Sequence, residues 1–422
     1  VCHQTQEEME ASRKTFRTDN PVPSPYRNRS IEENLNLFEL MRKGYFAEGE
    51  ACLRMKGDYC SNNPNMWDHV AYRIIYKPHP HVGDKWCIYP TYDYTHCIID
   101  SLEWVTASCC TLEFENRRES YFWLLDVLQL YKPVVWEYSR LNLTYNVLSK
   151  RKLLKLVQGG YVRGWDDPRM LTINGLRRRG YTAEILRYFC DKIGVTRKNN
   201  FISPKLLEAC ARELLNEQSP RAFGVLSPLK ITLTNFNKSE LIECPDFPQK
   251  KDTTKHSVPF ERVIYIDSSD FREHADQVYI CIYIYTRYNK GNVVELECEY
   301  DPASRHDLKG VKQGHLSWVS NGVSVEFRLY SHLFRTEFPE SDNFLNELEF
   351  SFKKKNYLIG DSEIITHGYV DQSVVKSKHE RFQFERVGFF VRDNIDCKDN
   401  KPGILFVYLT RNKSKCFFLD IL

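Results

Sequence analysis

The segment with the most potential for chemistry is the basic pentapeptide VLSKR at residues 147–151. Lys150 and the upstream Arg140 lie on either side of a short strand-like stretch. Two cations so placed suit a triphosphate, on which negative charge grows as pyrophosphate leaves. Ser149 adds a hydroxyl donor. Taken alone, such a pentapeptide is more often a solvated loop or helix start, so its context has to decide between the two interpretations.

Histidines and tyrosines upstream of this segment also invite a functional interpretation. His79, His81 and His96 lie near one another in the sequence. A His-Pro-His segment in a Pro-rich loop, without an accompanying cysteine or histidine pair, is nevertheless poor spacing for zinc. We therefore expect no metal site. Tyr92 and His96, each considered alone, are more often core or strand residues whose hydrogen bonds are satisfied.

The elements that must position these residues begin with helix signals. Residues 1–29 are polar and contain a Pro-rich stretch, which predicts a helical lead-in followed by a loop. Ser30 has the features of an N-cap, Glu33 completes a predicted capping box, and Gly44 lies where the following helix would stop. Aromatic and β-branched segments then predict strands.

The pattern changes twice further along the chain. Residues from about 120 to 222 have mostly helical spacing, with Thr182 and Ser203 as predicted N-caps. From about residue 223 onwards, short β-rich runs separated by turn residues predict a sandwich or barrel. The predicted fold class is therefore multidomain, with an α/β front, a helical middle and an all-β back.

The composition is that of an ordinary globular protein. Hydrophobic residues make up 42% of the 422 residues and charged residues 27%, which is enough for roughly two to four domains with real cores. The net charge of +3 neither demands nor excludes nucleic acid. The 14 cysteines include no CxxC pair, so reduced thiols in a cytosolic protein are expected. No apolar run approaches the ~20 residues that span a bilayer, and no membrane association is expected.

Five segments together resemble the class I aminoacyl-tRNA synthetases that act on glutamine and glutamate. VLSKR resembles the KMSKS loop of class I enzymes, in the form found in this branch. The other matching segments are SPYRNRS at 24–30, GWDDPR at 164–169, GLRRRG at 175–180 and FQFER at 382–386. In this context the interpretation of Lys150 as an ordinary surface residue becomes the weaker one.

The resemblance implies that the chain contains four regions and lacks a fifth, which carries the HIGH motif. Residues 1–85 are expected to form an acceptor-arm-binding insertion, residues 86–155 the second half of a Rossmann-like catalytic domain, and residues 156–222 a helical connecting subdomain. Residues 223–422 are expected to form two anticodon-binding β-barrels, with the distal barrel at about 240–325. The HIGH motif of class I enzymes is absent from the sequence. The chain is therefore expected to lack an N-terminal ATP-binding segment and to be inactive alone.

Two segments favour glutamine over glutamate as the amino acid. YDYTHC at 92–97 and SCCTLEF at 108–114 resemble the glutaminyl forms, whereas the glutamyl forms have arginine where Cys110 stands. An arginine would pair with a substrate carboxylate, and a neutral cysteine suits a neutral amide. The expected activity is that of a glutamine–tRNA ligase, with glutaminyl-adenylate as the intermediate. A glutamyl-tRNA synthetase, a non-discriminating relative and a non-catalytic tRNA-binding fragment stay open as alternatives.

The resemblance also implies roles for individual residues. The expected catalytic residues are Ser149 and Lys150. The residues expected to bind glutamine are Tyr92, His96 and Cys110. The residues expected to contact ATP are Thr111, Arg140, Leu141, Leu148, Ser149 and Lys150. Candidates for anticodon contacts are Arg221, Gln383 and, in a stretch that departs from the family pattern, Arg287.

The implied substrates are glutamine, tRNA(Gln) and ATP with Mg²⁺, and no tightly bound cofactor is expected. A multi-synthetase complex is a further implied partner, and the cytoplasm is the expected location. One position departs from the family near the pocket. Val135 stands where the family commonly has glutamine, before the segment Trp136-Glu137-Tyr138. We therefore expect the polar contacts of the pocket to be arranged differently here.

Overall fold

The computed structural model describes residues 1–16, 18, 20–271, 282–289, 292–300, 316–339, 343–348, 362–396 and 404–411. Contacts along the chain separate it into two units. The first unit comprises Val1–Leu141 and Val195–Asn200, and the second comprises Asn142–Gly194 and Phe201–Leu422.

The first unit begins with two helices, α1 (Gln6–Thr15) and α2 (Ile31–Arg42). Ser30 caps α2 as predicted, because its side chain accepts the backbone N–H of Glu33. The predicted reciprocal half of the capping box is wrong. The Glu33 carboxylate instead lies 3.2 Å from Nε of Arg29, where it forms an ion pair.

A small antiparallel sheet follows, in the order β1 (Cys52–Arg54), β2 (Val70–Ile74) and β3 (Ile88–Pro90). These strands confirm the β pattern predicted from the aromatic and β-branched segments. The sheet and α2 share one apolar core, whose buried residues are Val1, Met41, Ala51, Ile74 and Ile88.

The rest of the first unit is a βαβ arrangement. Its elements are α3 (Tyr92–Leu102), β4 (Ala107–Thr111), α4 (Arg118–Val127) and β5 (Val134–Tyr138). Strands β4 and β5 pair in parallel, so α4 provides the crossover that a parallel pair requires. The two helices pack on a core of Cys97, Tyr121, Leu124 and Leu125. The mixed α/β character predicted for the front of the chain is confirmed.

The second unit starts with four helices. Two short strands, β6 (Leu141–Leu143) and β7 (Asn200–Ile202), lie where the chain passes between the units. The helices are α5 (Lys150–Gln158), α6 (Ile173–Arg179), α7 (Ala183–Ile193) and α8 (Pro204–Gln218). The predicted N-caps Thr182 and Ser203 accept backbone N–H groups of α7 and α8. The helical middle of the chain is therefore confirmed.

The remainder of the second unit is almost entirely β-structure, as predicted. Its strands are β8 (Arg221–Ala222), β9 (Gly224–Val225), β10 (Pro228–Leu233), β11 (Glu240–Pro245), β12 (Lys255–Phe260), β13 (Val263–Asp267), β14 (Ile282–Asn289), β15 (Asn292–Glu299), β16 (Trp318–Val319), β17 (Val323–Tyr330), β18 (Glu363–Val370), β19 (Arg381–Phe384), β20 (Gly388–Arg392) and β21 (Ile404–Arg411). A short helix, α9 (Gln372–Lys376), follows β18.

These strands form two large sheets and one hairpin. The order of the five-stranded sheet is β14-β15-β10-β13-β16, the hairpin is β11-β12, and the seven-stranded order is β8-β19-β20-β21-β17-β18-β9. In the described strands neither sheet closes on itself. The two outermost strands of the seven-stranded sheet, β8 and β9, are separated by Phe223 alone, so the chain itself connects the two edges of that sheet.

Alternating burial along the strands creates the cores of the second unit. In β10, for example, Leu229, Ile231 and Leu233 are buried while the residues between them are not. The apolar core of the seven-stranded sheet is rich in aromatic rings, among them Phe327, Phe384 and Phe390. Among the described helices of the whole chain, none combines the length and the apolar character that crossing a bilayer requires.

Candidate active site

The first unit contains a pocket between α3, the start of α4 and the parallel pair β4-β5. The register of this pair places Cys110 directly opposite Glu137 and Ser108 opposite Val135. Residues two apart on a strand share a face, so Cys110, Val135 and Glu137 all line the pocket. The pocket encloses about 380 Å³ of empty space, counting the part open to solvent. Tyr92 and His96 line it as well, so the three predicted glutamine-binding residues are brought together.

A hydrogen-bond network orients His96. Its Nε2 atom lies 3.2 Å from Oδ2 of Asp100, one helical turn further along α3. The Ser108 hydroxyl lies 3.4 Å from the same nitrogen, and Tyr121 donates its hydroxyl to the same Asp100 oxygen at 3.0 Å. Burial, and then the hydrogen bond to Asp100, raise the pKa of Tyr121. That hydroxyl therefore stays protonated and keeps donating to Asp100.

Tyr92 forms one wall of the pocket through stacked rings. Its ring lies 5.1 Å from that of His96 at an interplanar angle of 22°, and 5.5 Å from that of Phe114. Arg117 lies over both rings, with its guanidinium carbon 5.0 Å from the centre of Phe114 and 6.0 Å from that of Tyr92, and forms an ion pair with Asp93. Tyr92 is half-exposed, and burial raises the pKa of its hydroxyl, which is therefore a neutral group in the lining of the pocket.

The floor of the pocket is a buried carboxylate held by two arginines. Glu137 is 1% exposed. Arg118 donates to both of its oxygens, with Nε 3.1 Å from Oε1, and Arg197 donates from 3.1 Å. Burial on its own would raise the pKa of Glu137, but the hydrogen bonds from Arg118 and Arg197 outweigh it and lower the pKa. Glu137 is therefore an anion at neutral pH.

Cys110 contributes a neutral group beside these charges. Burial raises the pKa of its thiol, so it stays protonated at neutral pH. A protonated thiol is a weak hydrogen-bond donor and acceptor, and it presents no charge to a ligand.

The residues predicted to contact ATP are divided between the two units. Thr111, at the end of β4, and Arg140 and Leu141, after β5, belong to the first unit. Nη1 of Arg140 lies 3.8 Å from Oε1 of Glu113. Both side chains are more than half exposed, so this ion pair is weak and leaves the guanidinium accessible.

Leu148, Ser149 and Lys150 belong to the second unit, at the start of α5. Ser149 is the N-cap residue, and Lys150 is the first residue of the helix and is exposed. The first turn contains no acidic residue, whereas α1 and α2 each have two there. Cations at the positive end of a helix repel its dipole, so this arrangement favours a bound anion.

The predicted anticodon residues Arg221 and Gln383 are neighbours in the second unit, paired across β8 and β19. Both are almost fully buried, at 2% and 1% exposure. Arg221 donates to the side-chain oxygen of Asn216 at 2.8 Å, and its Nε lies 3.1 Å from a carboxylate oxygen of Glu385. Among the residues that the structure describes, the Oε1 atom of Gln383 has no hydrogen-bond partner.

A groove extends outward from Arg221 along the β11-β12 hairpin and α9. Its lining includes basic and aromatic residues, such as Lys376, Lys378, His379 and Phe382. It also includes His256, whose Nδ1 lies 2.8 Å from Oδ1 of Asp246. The third predicted anticodon residue, Arg287, lies on β14, whose side chains fall outside the described part of the structure.

Most of the chain matches models of one protein family. The family model described as tRNA synthetases class I (E and Q), catalytic domain, matches residues 1–217. The chain belongs to the class I tRNA synthetase (E and Q) family. Two anticodon-binding-domain models of the same family match residues 219–301 and 315–393. The expectation of a catalytic domain followed by two anticodon-binding domains is thereby confirmed.

Curated relatives in the synthetase family have the same name. A Dictyostelium discoideum protein named probable glutamine–tRNA ligase is 46% identical over 98% of the chain and 54% of its own length. The cytoplasmic glutamine–tRNA ligase of Arabidopsis thaliana is 43% identical over 96% of the chain and 52% of its own length. A Vibrio cholerae glutamine–tRNA ligase is 43% identical, over 95% of the chain and 74% of its own length. The chain thus spans about half the length of the first two relatives.

Four charged residues of the pocket were not predicted from the sequence: Asp93, Arg117, Arg118 and Glu137. A signal for Glu137 was present, since an acid between two aromatic residues on a strand has to be explained by a partner. The two arginines gave no signal, because the adjacent pair Arg117-Arg118 has the appearance of a solvated helix start.

The GWDDPR and GLRRRG segments, which mark the synthetase family, are structural in this chain. Asp167 accepts two hydrogen bonds from the guanidinium of Arg169, at 2.9 and 2.7 Å, and both residues are buried. Arg178 donates to Asp393 at 2.8 Å and to Asp166 at 3.0 Å. The Arg178–Asp393 pair connects α6 to the segment that follows β20, and the Asp167–Arg169 pair is internal to its own loop. Within the described residues no cluster of three or more acidic, His or Cys side chains could hold a metal ion.

Proposed function

We propose that the full-length protein attaches glutamine to tRNA(Gln), using ATP and passing through glutaminyl-adenylate. The observation that carries this proposal is the first-unit pocket. It combines neutral hydrogen-bonding groups from Tyr92 and Cys110 with arginines that are already paired to carboxylates. A neutral amide finds partners in such a pocket, whereas a carboxylate meets arginines that, among the described residues, already have carboxylate partners. The names of the relatives from Dictyostelium discoideum, Arabidopsis thaliana and Vibrio cholerae support this choice.

The reaction has two steps. In the first, an oxygen of the glutamine carboxylate attacks the α-phosphorus of ATP, the bond to the β-phosphate oxygen breaks, and pyrophosphate leaves. In the second, a hydroxyl of the terminal ribose of the tRNA attacks the carbonyl carbon of the adenylate. AMP then leaves and the ester of glutamine and tRNA remains. Both steps depend mainly on positioning and on charge stabilisation.

Lys150 and Ser149 are proposed to act on the triphosphate. The ammonium group of Lys150 would neutralise charge that develops on the leaving pyrophosphate, and Ser149 would donate its hydroxyl. The absence of acidic residues in the first turn of α5 supports this proposal, because a bound phosphate would supply the missing anion. Mg²⁺ is expected to enter as part of the ATP substrate. Thr111, Arg140, Leu141 and Leu148 are proposed as further ATP contacts.

The pocket residues are proposed to hold the side chain of glutamine. Tyr92 would hydrogen-bond the amide through its neutral hydroxyl, and His96 would line the pocket in the orientation that Asp100 imposes. Cys110 would accommodate the amide without offering charge. Val135 supplies no polar side chain here, which fits the sequence expectation of a rearranged pocket. Its carbonyl instead accepts from Arg118 at 3.1 Å.

The second unit is proposed to bind the anticodon. The partnerless Oε1 of buried Gln383 and the adjacent Arg221 would contact an unstacked base, because single-stranded bases expose their hydrogen-bonding edges. Arg287 remains a sequence-based candidate. Two β-barrels are proposed for this region. For the seven-stranded sheet, the barrel proposal is supported by β8 and β9. These two strands form opposite edges of the sheet and are separated by a single residue, so the two edges must approach each other.

The other features expected from the sequence remain proposals. The division at residues 1–85, 86–155, 156–222 and 223–422, with a distal barrel at about 240–325, is proposed from the resemblance, and the start of the first anticodon-domain match at residue 219 supports its last boundary. The cytoplasm is proposed as the location, supported by the name of the Arabidopsis relative. Association with other synthetases is proposed from the resemblance alone.

The direct test is aminoacylation by the full-length protein. Radiolabelled glutamine, ATP, Mg²⁺ and tRNA(Gln) are incubated with the protein, and acid-precipitable label is counted. We expect label to accumulate only when ATP is present. A protein that binds the tRNA but transfers no label, under conditions where a known glutamine–tRNA ligase does, would contradict the proposal.

A further inference from the structure

We propose that Glu137 determines the amino-acid specificity of the pocket, because it holds Arg118 and thereby keeps that cation from pairing with the carboxylate of glutamate. This inference rests on the proposed function and adds a residue to it. Glu137 would act through Arg118 as a positioning residue, without contacting the reacting atoms.

The geometry shows how firmly Arg118 is engaged. Its Nε lies 3.1 Å from one oxygen of Glu137, and its Nη2 donates both to the other oxygen and to the Val135 carbonyl at 3.1 Å. This is a forked, two-point contact, the strongest form of an arginine–carboxylate pair. Both donors point to the floor of the pocket, so neither is directed at a ligand.

The two partners differ sharply in exposure. The side chain of Glu137 is 1% exposed, whereas that of Arg118 is 41% exposed and lines the pocket. A buried carboxylate is costly unless it is paired, so Glu137 fixes the position of Arg118 rather than the reverse. Without the charge of Glu137, Arg118 would lose its main partner but stay beside Cys110, where the substrate side chain is proposed to end.

The remaining charges near the pocket are balanced in the same way. Arg117 is paired with Asp93, and Arg197 is shared between Glu137 and Glu115. The three arginines are thus matched by three carboxylates, and Asp100 adds a further acid behind His96. A glutamate side chain entering this pocket would meet paired cations and additional acids. Among the described residues, each arginine beside the pocket has a carboxylate partner, and the arrangement therefore selects for a neutral amide.

The test is the ratio of kcat/KM for glutamine to kcat/KM for glutamate, measured by tRNA charging with the full-length protein. Glu137→Gln keeps the size of the side chain and removes its charge. We expect this variant to lower the ratio at least about tenfold, with a gain in glutamate charging as well as any loss with glutamine. The double variant Arg118→Gln/Glu137→Gln should not gain glutamate charging, because the released cation is gone.

Two further variants separate specificity from folding. Glu115→Gln removes the exposed partner of Arg197, does not touch Arg118, and should leave the ratio within about twofold of wild type. If Glu137→Gln fails to fold, Glu137→Asp replaces it, because the shorter side chain keeps the charge but cannot keep the two-point contact with Arg118, and it should also lower the ratio with a gain in glutamate charging.

Three results would overturn the inference. They are an unchanged ratio in folded Glu137→Gln, equal losses for both amino acids, and a gain in glutamate charging in a variant that lacks Arg118. Each of these presupposes that the wild type charges tRNA with glutamine. Failure of that wild-type reaction would instead overturn the proposed function, so the two failures are distinguishable.

Discussion

Oδ2 of Asp100 lies 3.2 Å from Nε2 of His96 and 3.0 Å from the hydroxyl of Tyr121, so one carboxylate oxygen holds both rings. Since a carboxylate can only accept, Nε2 of His96 is the donor in this contact. Asp100 thereby fixes the orientation of the His96 ring in the pocket.

Replacing Asp100 with asparagine should weaken glutamine binding. The amide keeps the size of the side chain but offers His96 and Tyr121 a weaker, uncharged acceptor. We expect KM for glutamine to rise about tenfold with a smaller change in kcat, because hydrogen bonds to charged groups are worth about 1.5–3 kcal/mol. Asp126→Asn, at an exposed position, is the matched control. Equal KM values in the two variants would show that Asp100 does not orient the pocket.

The hydroxyl of Tyr92 is predicted to contribute to substrate binding and not to folding. Tyr92→Phe keeps the ring that stacks on His96 and removes only the half-exposed hydroxyl. KM for glutamine should rise about fivefold, the effect of losing one hydrogen bond worth about 1 kcal/mol, while the melting temperature stays unchanged. Tyr131→Phe makes the same change at a ring that stacks on Trp104, away from the pocket, and should alter neither quantity. A wild-type KM in Tyr92→Phe would remove this residue from the site.

Lys150 is predicted to stabilise the transition state for adenylate formation. Lys150→Ala should lower kcat about 100-fold, the usual effect of deleting one preorganised charge or donor. Affinity for tRNA(Gln), measured by filter binding, should be retained because the residue is exposed and packs in no core. Lys155→Ala, in the last turn of the same helix, is the control and should charge tRNA at the wild-type rate. Turnover by Lys150→Ala equal to that of the control would contradict the assignment.

The buried ion pair of Asp167 and Arg169 should make the free energy of unfolding depend on pH in the acidic range. Burial alone would raise the pKa of Asp167, but the hydrogen bonds from Arg169 hold it below the ordinary value of 3.8. Since the folded-state pKa is depressed, the stabilisation is fully present above about pH 4 and is lost as the pH falls through the folded-state value. Asp167→Asn should lose on the order of 3 kcal/mol at pH 7.

Urea unfolding between pH 7 and pH 3 measures this difference. The gap in unfolding free energy between wild type and Asp167→Asn should narrow as the pH falls below about 4. Asp191→Asn, at an exposed position of α7, should follow the wild-type curve throughout. A gap that stays constant across the range would show that the charge of Asp167 is not what stabilises the fold.

The order of an α/β front, a helical middle and an all-β back could be predicted from the sequence, because each of these regions has local sequence signals. Ser30, Thr182 and Ser203 cap helices as expected, since an N-cap needs only its own side chain and the next turn. The capping box at Glu33 was wrong for a non-local reason. Arg29, which comes from the preceding loop, competes for that carboxylate.

The pocket was predicted only in part, for a related reason. Tyr92, His96 and Cys110 belong to sequence motifs that resemble those of the family, and the structure brings these residues together in one pocket. The pairing of Arg118 with Glu137 depends on the parallel register of β4 and β5, which no local pattern encodes. The burial of the anticodon candidates Arg221 and Gln383 likewise could not be predicted from the sequence, because it follows from the packing of a seven-stranded sheet.

The most direct test of the pocket is a comparison of glutamine with glutamate on the same tRNA. The full-length protein is assayed with each labelled amino acid, and the two values of kcat/KM are divided. We predict a preference for glutamine of at least about 1,000-fold, because a carboxylate would be buried beside paired cations and further acids. Comparable values for the two amino acids, or a preference for glutamate, would contradict the claim that this pocket accepts a neutral amide.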